Sequence, residues 1–192
     1  MTISLVLCTL DRVEEVDLFL ASISDQLYQP TEILIIDQNR NGCLDNLIIE
    51  WTKSLPIKHY KVNFKGVCRA RNYGVRLANG DLISFPDDDC QYLPHTIKDV
   101  ISSFDIRPNC SVLIGMKDNE IHKKISNTPS NISNILDIFR SRAETSQIFF
   151  RRSTIDNLMP YPFDINIGPG SEGLYISNDE TDILIRIFDF VP

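Results

Sequence analysis

Three consecutive aspartates, Asp87-Asp88-Asp89, follow the mostly apolar run Leu82-Ile83-Ser84-Phe85-Pro86. Adjacent carboxylates repel, so setting them at the end of a buried strand requires water, a helix N-terminus or a cation to offset the cost. In extended backbone, residues i and i+2 point the same way, which puts Asp87 and Asp89 on one face and turns Asp88 aside. Two carboxylates on one face offer hard oxygen ligands to Mg2+ or Mn2+ and leave positions for water and phosphate oxygens. The plainer alternative is a solvated turn that caps a helix starting near Leu93. Polar residues also end the earlier apolar runs: Thr9 and Asp11 after the first, Asp37 after the second. In an open parallel sheet those ends share one rim, outside the carboxyl ends of the strands, where ligands bind. That shared position favours a cation over a plain turn.

The elements that would place these residues alternate through the first half of the chain. Residues 3–8 read as a β-rich strand, and 14–27 carry Val16, Phe19, Leu20, Ile23 and Leu27 at helical spacing. Residues 32–37 form a second buried strand, 44–55 a helix and 57–62 a weaker strand. Residues 66–78 form a helix stopped by Asn79-Gly80, and 81–85 a fourth strand. The second half is less regular. It offers a helix over 93–104, a strand over 110–116, a mobile Asn-, Ser- and Lys-rich loop over 119–134 and a strand over 147–151. An irregular stretch over 156–173 and a closing amphipathic helix over 179–190 complete it. Continuous apolar strands separated by helices imply an α/β fold, with a mostly parallel central sheet and helices on both faces.

At 192 residues the chain fits one domain with a core of its own, and no internal repeat or boundary divides it. The net charge of −7 argues against nucleic acid as a partner, which calls for a basic field. Five widely spaced cysteines match neither a disulfide framework nor a zinc site, pointing to a reduced, cytoplasmic protein. His59, His95 and His122 are scattered, which also argues against zinc. No run approaches the ~20 apolar residues of a membrane span, so membrane contact is peripheral at most.

Four stretches in order resemble the family 2 glycosyltransferases of the GT-A fold, inverting enzymes that use nucleotide sugars. They are SLVLCTLDR, EILIIDQN, GVCRARNYGVRLANGDLISFPDDD and GPGSEGLYISNDETDILIR. The resemblance runs from the N-terminus to about Arg186 and implies a single GT-A (Rossmann-like) domain over residues 1–192. Within it, 1–105 would bind nucleotide sugar and metal, and 106–192, short at its C-terminus, would form the acceptor side. By resemblance Thr9 lines the base pocket, Asp37 bonds a pyrimidine base, Arg71 reaches the nucleotide and Asp87 lies near the ribose. Asp88 completes that cluster, and Asp89 holds Mg2+ or Mn2+ against the donor's diphosphate.

By the same resemblance the last motif would supply a general base, and its register selects Glu180 with Asp179 as the rival. From the residues alone, Arg71 reads first as a solvated helix arginine in a surface pair, and Asp179 and Glu180 can be read as acids at the positive end of a helix. Asn72 reads as a helix–loop hydrogen-bonding residue outside the site, and Trp51 and Tyr60 as structural. The Gly168-Pro169-Gly170 turn would shape the acceptor side.

The activity so implied moves a sugar from a nucleotide-diphosphate donor to a saccharide or lipid-linked saccharide acceptor. The setting would be surface polysaccharide or glycolipid synthesis, in the cytoplasm or at the inner face of the membrane. The sequence departs from the family at Leu10, where many relatives carry an aromatic. The rival of another class is a non-catalytic nucleotide-binding module that keeps Asp37 and Asp89. A nucleotidyltransferase would need a basic, glycine-rich loop after the first strand, and CTLDRVEE is neither.

Overall fold

The computed structural model describes residues 1–116, 143–171, 173 and 177–190. The mobile loop expected over 119–134 lies outside the described residues. Strands β1 (Ile3–Thr9), β2 (Glu32–Asp37), β3 (Ile57–Lys61), β4 (Leu82–Ser84), β5 (Val112–Ile114) and β6 (Ile148–Arg151) make one sheet in the order β3-β2-β1-β4-β6-β5. The first four strands are mutually parallel where they pair, and β6 runs antiparallel to both β4 and β5. β2 is buried along its whole length, and β1 nearly so, because helices cover both faces.

Helices α1 (Val13–Ser24), α2 (Asp45–Trp51), α3 (Val67–Leu77) and α4 (Thr96–Ile106) follow the expected alternation, with ends shifted by a few residues. A short α5 (Arg152–Asp156) and the closing α6 (Asp179–Phe190) complete the described helices. On one face Leu5, Leu7, Ile33 and Ile35 pack with Val16, Phe19, Leu20 and Ile23 of α1 and with Ile97 and Phe104 of α4. On the other, Val6, Leu34, Ile36 and Ile83 meet Ala70 and Val75 of α3 and Ile183 and Ile187 of α6. Alternate residues of each strand feed the two cores, as the period of two requires.

α3 can lie this close to β1 because Gly74 faces the sheet, where a Cβ would run into the Cγ1 of Val6. Trp51 donates from Nε1 to Asp17 at 2.7 Å and ties α2 to α1, a structural duty as expected.

The sheet order reverses between β1 and β4, and open α/β sheets bind ligands outside the carboxyl ends of strands at such a point. The segment that follows β4 is held down before α4 begins. Gln26 donates to the Leu93 carbonyl at 2.8 Å and accepts from the Ile97 amide at 3.1 Å. The Tyr92 hydroxyl lies 3.1 Å from Ser84 Oγ and donates to the Ser146 carbonyl at 3.2 Å. These ties replace the first turn of the helix expected from Leu93, which begins at Thr96.

Candidate active site

The aspartate triplet is a turn, closed by the Cys90 amide donating to the Asp87 carbonyl at 3.2 Å. The extended alternation expected for Asp87 and Asp89 therefore does not hold. Pro86 ends the strand, and the chain bends within the triplet. Asp87 turns toward α3, where Arg71 Nη2 donates to its Oδ1 at 3.1 Å. Asp89 turns the other way, toward the loop after β1, and takes Arg12 Nη1 on Oδ2 at 3.2 Å. Asp88 lies on that same side: burial raises its carboxyl, while the Thr9 hydroxyl and the Arg12 charge pull it back.

Arg71 is only 4% exposed. Its second fork nitrogen, Nη1, bonds Asp179 at the start of α6, and its guanidinium lies 5.4 Å from the Phe163 ring centroid. Burial works against its charge, but Asp179 and Asp87 more than offset this. One side chain thus joins the triplet after β4 to the helix that ends the described chain. The alternative of a solvated surface arginine gives way to a buried bridge.

Asn72, the next residue, donates to the Phe163 carbonyl at 2.7 Å and accepts from its amide at 2.9 Å. It is a helix–loop fastener, though across ninety-one positions of sequence. Val67 at the start of α3 donates to the Pro169 carbonyl at 3.0 Å, and Gly168 and Gly170 adopt positive φ of 89° and 74°. A Cβ on Gly168 would press on Cys68 Sγ and Asp179 Oδ1, so the turn packs directly against the bridge.

The two rival acids of α6 differ in surroundings. Asp179 is buried at 6% exposure, bonded to Arg71, with the Thr145 hydroxyl 3.5 Å away. Glu180 is half-buried, and burial raises its carboxyl above the usual range; its own backbone amide lowers it, and the charge of Asp179 adds to the rise. Burial likewise raises Asp87, against the pull of Arg71. Glu180 feels the Asp87 charge, so the two ends of the rim share one field.

Asp37 stands at the same rim, paired with Thr9 in strand register. It is fully buried: Oδ1 accepts from the amide and side chain of Asn39, both at 2.8 Å, and Oδ2 lies 2.9 Å from His59 Nε2. Burial would raise this carboxyl, but the His59 and Asn39 bonds outweigh it and hold it below its ordinary value. Asn39 also accepts from the Asp11 amide at 2.8 Å, joining the two loops. Ligand atoms of Asp37, Asp45 and His59 lie within 4.8 Å of one another, and Lys61 already sits 2.6 Å from Asp45. The neighbouring Gln38 Oε1 is buried without a hydrogen-bond partner among the described residues.

Asp87 and Asp89 also border a cleft of about 610 Å³ on the β5–β6 side, with Tyr92, Gly115, Glu144 and Phe149 among its lining. Carboxylate oxygens suit a hard divalent cation. The Cys90 thiol beside them, pushed by burial to about 12, is held neutral and offers no soft ligand. In kind, the carboxylate oxygens along this rim suit Mg2+ or Mn2+, with Asp89 the exposed one. Sequence reasoning did not place Arg12, Asn39, His59 or Thr145 in the site, and weighed His59 only against zinc. Their only signal was position, since each lies within a few residues of a strand's end or on β3 beside Asp37.

The family model described as glycosyl transferase family 2 matches residues 4–158. A Haemophilus influenzae protein called an uncharacterized glycosyltransferase is 25% identical over 112 residues, 58% of this chain and 37% of the relative. Residues 1–349 of S. aureus TarS superpose with a TM-score of 0.75 at 18% identity, covering 98% of this chain and 55% of that one. The same TarS fragment has also been crystallised with UDP. The Pyrobaculum calidifontis mannosyltransferase PcManGT, solved with GDP-Man and Mn2+, gives a TM-score of 0.71 at 14% identity, with 96% and 51% covered. At those identities the likeness shows the fold, that of the GT-A glycosyltransferases. The chain spans little more than a third of the curated relative and about half of the two structures.

Proposed function

The chain belongs to glycosyl transferase family 2, and from that membership we propose that it transfers a sugar from a nucleotide-diphosphate donor to an acceptor hydroxyl with inversion at the anomeric carbon. The observation that carries the proposal is the Arg71 bridge, which draws Asp87 and the start of α6 to one rim and leaves Glu180 half-buried beside them.

Glu180 is the general base. Burial raises its carboxyl, and among the described residues it forms no ion pair, so it is free to take the acceptor's proton. Asp179, engaged by Arg71, is a positioning residue. Asp87 and Asp88 line the ribose side, and Thr9 and Asp37 the base pocket, where the unpartnered Gln38 oxygen can accept an N–H from the ligand. Asp37 acts there through its held orientation, with His59 and Asn39 fixing the carboxylate.

Asp89, exposed on the turn, is the residue that would hold Mg2+ or Mn2+. The bound ion would neutralise charge on the leaving diphosphate, an effect of several kcal/mol. The cleft toward β5 and β6, lined from both halves of the chain, takes the sugar and acceptor; residues 1–105 serve the donor, and 106–192 complete the acceptor side. A pyrimidine nucleotide is the favoured carrier, in keeping with the UDP of the TarS crystals. The acceptor is a saccharide, free or lipid-linked, in surface polysaccharide or glycolipid synthesis on the cytoplasmic side. No helix among the described residues is long and apolar enough to cross a membrane.

Donor hydrolysis tests this reading. With Mn2+ the protein slowly cleaves its nucleotide sugar, and Glu180→Gln suppresses turnover by 10²-fold or more, on the order of a lost general base, while nucleotide binding persists. Normal binding with no turnover in the parent protein would identify a non-catalytic nucleotide-binding module instead.

A further inference from the structure

Two guanidiniums reach the aspartate triplet, and their settings differ. Arg71 is buried and doubly engaged. Arg12 stands on the loop after β1 with its side chain 44% exposed. Its Nη1 lies 3.2 Å from Asp89 Oδ2 and 3.7 Å from Glu15 Oε1. Asp88 and the Asp89 bond both favour its charged form. The exposed carboxylate that the proposed function gives to a divalent ion is therefore already held by a protein cation.

A guanidinium and a dication on one carboxylate compete, because like charges a few ångströms apart repel, if modestly, even through water. We propose that Arg12 is a displaceable counter-cation of the metal site. It occupies Asp89 in the free protein, leaves when a divalent ion binds, and turns to the donor's diphosphate. The inference rests on the reading of Asp89 as metal ligand.

Arg12 has the freedom for this exchange: it is exposed, its loop is short, and Glu15 offers a second, looser partner. A diphosphate bridged by an ion at Asp89 would present its oxygens within a rotamer change of Arg12, and planar bidentate contact with phosphate suits a guanidinium. Metal arriving alone must break the Arg12–Asp89 pair and leave the cation half-partnered. Metal arriving with nucleotide gives the same cation a better partner. The two ligands then bind with positive coupling, and reciprocity requires that each raise the other's affinity by the same factor.

Titration of Mn2+ followed by the EPR signal of the free ion, with and without saturating UDP, tests this. Without nucleotide, Arg12→Gln binds Mn2+ about two- to fivefold tighter than the parent, the size of one exposed ion pair, and Arg12→Lys stays near the parent. With UDP, the parent's gain in Mn2+ affinity exceeds that of Arg12→Gln. Nucleotide-free affinity in Arg12→Gln equal to or weaker than the parent's overturns the counter-cation. Asp89→Ala removes the parent's Mn2+ binding. If Asp89→Ala binds like the parent, the metal reading of Asp89 falls, and the role of Arg12 falls with it.

Discussion

A guanidinium keeps its proton at any physiological pH, so a buried one depends permanently on its partners. Arg71 has two, and Asp179 is the more buried of them. Asp179→Asn leaves that charge undercompensated and costs about 3 kcal/mol of unfolding free energy, as broken buried pairs do. Denaturant titration checks this, with Glu180→Gln as the comparison that melts near the parent. Equal stability of the two variants would remove the distinction between holder and base.

The same pair gives a pH signature. Glu180 must be ionised to accept a proton, and burial raises its carboxyl. The acid limb of kcat/KM for donor hydrolysis therefore falls at a pH above the ordinary glutamate range. At this scale the sequence named the acids but not their aim. The triplet reads as an extended run until its turn is seen, because nothing local announces the Cys90–Asp87 hydrogen bond. Arg12 carried no signal beyond its place after a strand.

Among the elements, α3 bears most of the positioning, since it supplies Arg71 and Asn72 and rests on the sheet at Gly74. Gly74→Ala gains about 0.5–1 kcal/mol of helix preference but forces α3 off Val6, an overpacking cost of about 1–3 kcal/mol. The expected net effect is destabilisation, with weaker nucleotide binding because Arg71 moves with the helix. A melting curve beside a UDP titration would show both, and a variant as stable and as tight as the parent would deny α3 this role. Helices and parallel strands were legible because their periods differ and Asn79-Gly80 marks a stop. Element ends were less so: Gln26 and Ser22 of the α1 end hold the backbone at Tyr92–Leu93, and no local pattern encodes such distant bonds.

For the molecule as a whole, a net charge of −7 and a rim of carboxylates oppose an anionic donor. UDP alone is thus expected to raise the melting temperature little. UDP with Mn2+ at a hundredfold excess over Kd stabilises by about 2.7 kcal/mol, and Asp89→Ala loses the metal-dependent part. A full shift from UDP without any divalent ion would contradict this.

The strand order was only partly readable, since an apolar run such as Ile148–Arg151 does not encode its direction or its neighbour. It settles between β4 and β5, antiparallel to both. That insertion constrains how the chain comes off the ribosome. The partner of β4 on one side, β1, is made before it, yet the partner on its other side is not complete until Arg151 has been made. Translation therefore exposes an apolar sheet edge for some sixty residues of synthesis, the interval in which a chaperone has most to protect.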